Sequence, residues 1–142
     1  MNMRTRRMSE QELKEWIGCG DRQLWTFRLS DRFGDSGISG IISVEIMQDA
    51  AFIEDFVMSC RVMGRQLEKV MIQTAVDFAK QKQPSIDVVA EYLETDRNRP
   101  CLEFWKNSGF HEREENRFYW EAADDYPCPE FIKVDLIEDN VQ

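Results

Sequence analysis

The hydrophobic pattern of this chain changes period at Gly64, and this change constrains the fold more than any other feature. Before Gly64, residues 51–60 form an apolar run of strand composition. After it, apolar residues recur at the spacing of one helix face, which predicts a long amphipathic helix that ends at Pro84. The residues of that face are Leu67, Val70, Met71, Thr74, Ala75 and Phe78. Residues 86–93 form a further predicted strand, so the chain contains a strand–helix–strand unit, which requires one parallel strand pair.

Shorter signals predict the elements on either side of this unit. A capping box of Ser9 and Glu12 predicts a helix over residues 9–17. Pro100 and Gly109 bracket another helix, over residues 100–107. Strand composition predicts four more strands, over residues 24–29, 38–47, 117–122 and 131–137, and a turn over residues 31–37. We therefore expect an α/β fold with a mixed, mostly antiparallel sheet, in which the last two strands form a hairpin.

Length and charge restrict the classes of function. The chain has 142 residues, and we expect residues 1–142 to form a single domain. Its 27 acidic and 18 basic residues give a net charge of −9, which argues against a nucleic-acid partner. Its apolar runs are far shorter than the roughly 20 residues of a membrane span, so we expect no membrane association. Four cysteines without metal-binding spacing indicate reduced thiols in the cytoplasm: Cys19, Cys60, Cys101 and Cys128.

The junction between the strand at residues 51–60 and the long helix has the composition of an anion-binding turn. The first turn of a helix leaves backbone N–H groups unpaired, and the helix dipole adds partial positive charge there. Gly64 removes a side chain that would block an anion from these groups. Three cations lie nearby against the single acid Glu68: Arg61, Arg65 and Lys69. These features favour a pyrophosphate site, although ordinary solvated charges at a helix start would have the same composition.

A second segment, residues 98–110, follows the next predicted strand and reads Asn-Arg-Pro-Cys-Leu-Glu-Phe-Trp-Lys-Asn-Ser-Gly-Phe. Arg-x-x-Gly at a strand–helix junction, followed by Asn-x-Pro and Phe-Trp-x-x-x-Gly-Phe, resembles the GNAT acyltransferase superfamily. The resemblance implies a GNAT fold, with helices on both faces of a twisted sheet and a strand–helix–strand core that binds acyl-CoA. It therefore implies coenzyme A, or another phosphopantetheine thioester, as the cofactor.

The resemblance also implies roles for individual residues. The turn before the long helix would bind the pyrophosphate of coenzyme A through Arg61, Met63, Gly64 and Arg65. The end of the preceding strand would line the pantetheine arm through Met58, Ser59 and Cys60. Asn98 would face the thiol end of the cofactor. The family has a small residue at the position of Gln66, so this side chain could crowd the bound phosphates.

Several sequence segments within about residues 2–110 resemble a narrower group, the C-terminal domain of FkbH-like proteins. They include Thr-Arg-Arg-Met-Ser-Glu at residues 5–10, residues 31–37 and 56–65, and Glu-Tyr at residues 91–92. FkbH-like proteins also contain a haloacid-dehalogenase-type domain, and they load a glyceryl unit onto the phosphopantetheine thiol of an acyl carrier protein in polyketide pathways. The resemblance implies an acyl carrier protein and a haloacid-dehalogenase-type protein as partners. This sequence lacks the Asp-x-Asp-x-Thr nucleophile motif of the haloacid-dehalogenase-type domain. The complete glyceryl-transfer reaction is therefore not assigned to this chain.

Catalysis of acyl transfer requires a base for the attacking group and commonly an acid for the departing thiolate. Glu54 and Glu91 are the candidate bases, because they lie on the two strands expected to line the cleft. The alternative for each is a solvated or ion-paired strand carboxylate. The family's usual acid is a tyrosine at the position of Trp105, whose indole donates a hydrogen bond but releases no proton near neutral pH. Tyr92 and Tyr119 are the candidate replacements.

Cys60 is a candidate acyl acceptor, because the helix N-terminus and Arg61 would favour its thiolate. The alternative for Cys60 is a small buried hydrophobic residue. His111, the single histidine, is expected on the surface. Two functions stay open at this point: an acyltransferase domain, and a catalytically silent module that docks a carrier protein or partner enzyme. A structural remnant of a split FkbH-like protein is the third alternative.

Overall fold

The computed structural model describes residues 9–18, 20–62, 64–95, 98–135 and 137. The described helices are α1 (Glu10–Ile17), α2 (Leu67–Lys82) and α3 (Arg99–Lys106), with a 3₁₀ turn at Cys60–Val62. The described strands are β1 (Arg22–Asp31), β2 (Gly34–Ile46), β3 (Ala50–Met58), β4 (Asp87–Glu91), β5 (His111–Glu114) and β6 (Arg117–Glu121). No helix in this part of the chain is both long and apolar enough to cross a membrane.

The strands form one mixed sheet in the order β1-β2-β3-β4-β6-β5. β3 and β4 are parallel, and the other neighbouring strands are antiparallel. α2 connects the parallel pair, because a crossover of this length is needed to return the chain to the same end of the sheet. This confirms the predicted mixed, mostly antiparallel sheet and its parallel pair.

α2 and α3 pack against one face of the sheet and enclose the main core with it. α2 lies so close to β2 that a Cβ at Gly40 would be 2.7 Å from Met71 Sδ, so a larger residue there would force the Met71 side chain to move. On α3, the ring of Phe104 stacks on Phe56 of β3, with centroids 5.5 Å apart. The buried side of α2 is wider than predicted, since it also includes Ile72, Val76 and Ala79.

α1 packs against the opposite face. Trp25 of β1 contacts Phe78 of α2, with ring centroids 5.2 Å apart. Arg22 lies three positions earlier, so its side chain points to the other face. There it forms an ion pair with Glu45 at 3.0 Å, and its guanidinium lies 5.3 Å from the ring centroid of the buried Trp16 in α1. The sheet therefore carries helices on both faces, as expected.

The first helix follows its sequence signal closely, whereas the first hairpin extends beyond its signal. Ser9 Oγ accepts a hydrogen bond from the Glu12 backbone N–H at 3.1 Å, and the Ser9 N–H donates to Glu12 Oε2 at 2.8 Å, which confirms the capping box. The β1–β2 hairpin is longer than predicted. Its strands pair as far as Asp31 and Gly34, which leaves only residues 32–33 as the turn.

The predicted strand over residues 131–137 is wrong within the described residues, which form no strand there. β6 is paired with β4 on one side and β5 on the other, so neither of its edges is available to a strand from this segment. The hairpin partner of β6 is instead β5, which precedes it. β5 reads His-Glu-Arg-Glu and is exposed throughout, so it has no apolar alternation by which to recognise it. His111 begins β5 and lies on the surface, as expected.

Candidate functional site

The parallel pairing of β3 with β4 involves only the first part of β3. Their ladder runs from Ala50–Asp87 to Ile53–Ala90, whereas β3 continues to Met58 and remains paired with β2. The pairing between β2 and β3 shifts register at Glu54, which is the signature of a β-bulge. A bulge bends its strand and increases its local twist. β3 thus leaves β4 beyond the bulge, and we call the opening between them the fork.

The two candidate bases both lie where the fork begins. Glu54 directly follows Ile53 on β3, and Glu91 directly follows Ala90 on β4. Glu54 is buried. Glu91 is half-buried and forms an ion pair with Arg117 of β6 at 3.0 Å. The structure therefore brings these two carboxylates to the same end of the ladder, although Glu91 already has a cationic partner.

Aromatic side chains lie beside the fork. Trp105 of α3 is 0% exposed, and its ring packs edge-on against Phe56, which lies in the part of β3 beyond the ladder, at 5.5 Å. The indole nitrogen of Trp105 is buried and has no hydrogen-bond partner among the described residues. A buried N–H without a partner costs free energy, about 1–3 kcal/mol in mutational data. An acceptor supplied by a ligand would remove this cost.

Tyr92 and Asn98 hold the loop between β4 and α3. The Tyr92 hydroxyl donates to Asn98 Oδ1 at 2.9 Å, and the Thr95 backbone N–H donates to the same oxygen at 2.7 Å. Asn98 Nδ2 donates to the Leu93 carbonyl at 2.5 Å. Burial raises the pKa of Tyr92, and the negative charge of Glu94 raises it further. Tyr92 is therefore a neutral phenol at neutral pH whose proton is engaged by Asn98.

We call the segment between β3 and α2, residues 59–66, the junction turn; its described residues are 59–62 and 64–66. The Ser59 backbone N–H donates to the Ser39 carbonyl at 2.9 Å, which extends the pairing of β3 with β2. Cys60 is exposed, so the alternative of a buried hydrophobic cysteine is wrong. Arg61 is also exposed, and its guanidinium makes long contacts to Ser59 Oγ and to the Ser36 carbonyl, both at 3.4 Å. Met63 lies outside the described residues.

The end of the junction turn leaves the start of α2 open. Gly64 has a φ of +83°, and apart from its chain neighbours no atom of the described residues lies within 4 Å of the position where a Cβ would be. Gln66 also adopts the left-handed conformation, with φ 65°, which is uncommon for a residue other than glycine. Gln66 is the N-cap of α2, and no side chain among the described residues caps the helix there. Backbone conformations that alternate in this way form concave sites for anions.

The β1–β2 hairpin reaches the junction turn through Asp31. Arg65 Nη2 forms an ion pair with Asp31 Oδ2, and the Phe33 backbone N–H donates to Asp31 Oδ1 at 2.8 Å. The Phe33 N–H holds the pKa of Asp31 below its ordinary value, and Arg65 lowers it further, against the opposing effect of partial burial. Sequence reasoning missed Asp31, because nothing local marks a residue 34 positions away from its partner.

The remaining candidate acid, Tyr119, lies on β6 rather than on the loop of Tyr92. It pairs with Val89 of β4, one position before the end of the ladder. The guanidinium of Arg113 lies 4.7 Å from the centroid of its ring. Tyr119 is therefore near the base of the fork, with the Arg113 guanidinium over its ring.

Comparison with known proteins identifies the fold. No protein-family model matches the chain, and no curated protein matches it. A GNAT-family acetyltransferase from Staphylococcus aureus Mu50 superposes with a TM-score of 0.60 at 11% identity, over 79% of this chain and 75% of that one. The alanine N-acetyltransferase of ribosomal protein S18 from Escherichia coli superposes with a TM-score of 0.57 at 10% identity, over 92% and 85% of the two chains.

A third similar structure contains a ligand. It is a proposed streptothricin acetyltransferase from Bacillus anthracis in complex with acetyl coenzyme A, with a TM-score of 0.58 at 18% identity, over 76% of this chain and 66% of that one. The strand order, the single parallel pair and the crossover helix α2 agree with these likenesses. The chain therefore has the fold of the GNAT acetyltransferases.

Proposed function

We propose that the protein binds coenzyme A, or another acyl-phosphopantetheine thioester, and acts as an acyltransferase domain. The observation that carries the proposal is the continuity of the fork, the junction turn and the uncapped start of α2. The fork offers unpaired strand backbone, the turn offers two arginines, and the helix start offers N–H groups. A long ligand with an amide arm at one end and a pyrophosphate at the other matches this order of groups.

In this proposal the candidate binding residues are divided among the parts of the ligand. The pantetheine arm lies along the end of β3, at Met58, Ser59 and Cys60. The pyrophosphate lies on the junction turn, where it is bound by Arg61, Met63, Gly64, Arg65 and the backbone of Gln66. Asn98 supports the thiol end indirectly, by holding the loop that bounds the fork. The long contacts of Arg61 favour this assignment, because they are easily exchanged for a phosphate.

The chemical step is attack of an acceptor on the thioester carbonyl carbon, after which the C–S bond breaks and the acyl group passes to the acceptor. Glu54 or Glu91 takes the acceptor's proton, and Tyr92 gives a proton to the departing thiolate. Glu54 is buried where the fork begins, and Glu91 is half-buried there and paired with Arg117. Cys60 is exposed and is the candidate for a covalent acyl intermediate.

The finer proposal follows the FkbH-like resemblance. In it the acyl group is a glyceryl unit, the acceptor or donor is an acyl carrier protein, and a haloacid-dehalogenase-type protein in the cytoplasm supplies the activated glycerate. Residues 1–142 would act as one GNAT-like domain in that pathway. An adjacent gene for each of these two partners would support this version.

Calorimetry with coenzyme A tests the binding site. Arg61→Ala and Arg65→Glu should each weaken binding, since one charge-assisted contact is worth about 1.5–3 kcal/mol, roughly 10- to 150-fold in Kd. Lys133→Glu is the matched control, because Lys133 is exposed in the C-terminal segment and undergoes the same change of charge. Binding by Arg65→Glu that equals the wild type would remove the junction turn from the proposal.

A catalytically silent docking module is the second candidate function. Two observations favour it: the buried indole of Trp105 where the family has a phenol, and the ion pair that engages Glu91. A silent module should bind the thioester and an acyl carrier protein without turnover of acetyl-CoA with simple amines. Turnover by the wild-type protein would exclude it.

A further inference from the structure

The tip of the β1–β2 hairpin lies against the junction turn and is attached to it at two points. The carboxylate of Asp31 bridges the Phe33 backbone N–H and the Arg65 guanidinium. The Ser36 carbonyl accepts a hydrogen bond from Arg61 Nη2 at 3.4 Å. The two arginines proposed to bind pyrophosphate are therefore both in contact with the hairpin, and its tip is an immediate neighbour of that site.

An aromatic residue and a cation form the tip itself. Phe33 is 83% exposed, the most exposed of the large hydrophobic residues in the described part of the chain. The guanidinium of Arg32 lies 4.7 Å from the Phe33 ring centroid, so one face of the ring is covered by a cation. The Asp31 carboxylate fixes the Phe33 backbone, so the ring is held on an ordered turn.

We infer that this hairpin tip is a subsite for the adenosine 3′-phosphate end of coenzyme A, in which Phe33 stacks on the adenine and Arg32 binds the 3′-phosphate. The inference rests on the proposed function, because it takes the pyrophosphate to lie on the junction turn. It goes beyond that function because it identifies free coenzyme A, rather than a carrier protein, as the acyl donor. A phosphopantetheine arm attached to a carrier protein has no adenosine, and therefore gains nothing from the tip.

The chemistry of the tip fits this ligand. Adenine presents a flat aromatic face to which an exposed phenyl ring can stack, and such stacking is worth about 1–3 kcal/mol per base by alanine substitution. A ring already polarised by a guanidinium on one face has its other face free for this contact. The adenine of coenzyme A is joined to its pyrophosphate by a single ribose. A base-binding group must consequently neighbour the pyrophosphate site, as Phe33 does through Asp31 and Arg65.

Calorimetry with three ligands tests the subsite: coenzyme A, dephospho-coenzyme A without the 3′-phosphate, and 4′-phosphopantetheine without the adenosine. The wild type should bind coenzyme A most tightly and 4′-phosphopantetheine most weakly. Phe33→Ala should weaken coenzyme A binding about tenfold and leave 4′-phosphopantetheine binding unchanged. Arg32→Ala should weaken coenzyme A binding more than dephospho-coenzyme A binding. Phe131→Ala is the control, because Phe131 is 73% exposed in the C-terminal segment.

Three outcomes would overturn the subsite while leaving the proposed function intact. They are equal affinity of the wild type for coenzyme A and 4′-phosphopantetheine, coenzyme A binding by Phe33→Ala that matches the wild type, and equal weakening of all three ligands by Phe33→Ala. The last would mean that the substitution disturbs the hairpin rather than a base contact. A wild type that binds none of the three ligands would overturn the proposed function, and the subsite with it.

Discussion

Asp31 at the end of β1 and Arg65 in the junction turn are 34 positions apart in the sequence and form an ion pair across the structure. The pair connects the β1–β2 hairpin to the start of the crossover to α2. It also places a carboxylate beside the cation that is proposed to bind a phosphate. The same contact therefore orders Arg65 in the free protein and competes with the ligand for it.

The competition predicts that Asp31→Asn binds coenzyme A more tightly than the wild type, by roughly two- to fivefold. Asparagine keeps the oxygen that accepts from the Phe33 N–H, so the hairpin turn is retained while the negative charge is removed. Calorimetry at low salt measures the effect. Asp49→Asn, in the turn between β2 and β3, is the control and should not change the affinity. Weaker binding by Asp31→Asn would mean that the carboxylate orients Arg65 rather than competing for it.

The lowered pKa of Asp31 predicts a pH-dependent contribution to stability. A carboxyl group whose pKa is lower in the folded chain stabilises the fold above its unfolded value of about 3.9, and this contribution is lost as the pH falls through the folded pKa. The wild type should therefore exceed Asp31→Asn in its urea midpoint at pH 7. The difference should shrink below about pH 4. A difference that stays constant down to pH 3 would contradict this assignment.

The left-handed conformation of Gln66 predicts that glycine is favoured there. The left-handed conformation destabilises the fold by about 1–2 kcal/mol for a non-glycine residue. Glycine avoids this cost, but its greater conformational entropy in the unfolded chain offsets part of the gain in stability. Gln66→Gly should thus raise the free energy of unfolding by up to about 1 kcal/mol, and it should tighten coenzyme A binding by removing a side chain from the phosphates. Gln73→Gly, inside α2, is the control and should lose about 1 kcal/mol. A loss of stability in Gln66→Gly would refute the argument.

The indole of Trp105 predicts slow acyl transfer, because the alternative acid, Tyr92, must first release the hydroxyl proton that it donates to Asn98. One well-placed general acid is worth about 10²–10⁴-fold in rate, and indole cannot supply the proton. Trp105→Tyr should acetylate simple amines faster than the wild type, when compared at matched folded fraction. Some loss of stability is expected in this variant, because a phenol leaves a gap where the fully buried indole was. A wild type that already turns over at about 10 s⁻¹, the usual rate of enzymes, would show that no acid is missing.

The exposure of Cys60 predicts the site of any covalent acyl intermediate. Incubation with acetyl-CoA should add one acetyl mass to the intact protein if Cys60 attacks the thioester. Cys60→Ser should abolish this adduct, whereas Cys101→Ser should keep it, because Cys101 is buried in the core and a donor cannot reach it. An adduct that survives Cys60→Ser, or the absence of any adduct, would leave Cys60 without a covalent role.

The elements of the core could be predicted from the sequence because their signals are local. The spacing of Leu67, Val70 and Met71 defines a helix face, and Ser9 and Glu12 define a helix start, whatever surrounds them. The parallel pairing of β3 and β4 also follows from order alone, since a helix between two strands of one sheet returns the chain to the same end. The position of the junction turn before α2 follows in turn from these elements.

Only the tertiary structure decided which groups meet. β5 carries no apolar pattern and becomes a strand because β6 offers it an edge, whereas residues 131–135 find that edge already paired. The fork depends on a bulge at Glu54, and the contact of Asp31 with Arg65 spans 34 positions. The indole N–H of Trp105 has no hydrogen-bond partner among the described residues, where aromatic rings surround it. Periodicity records which face of a segment is buried, but pairing, bulges and ion pairs depend on what lies opposite, and that is a property of the folded chain.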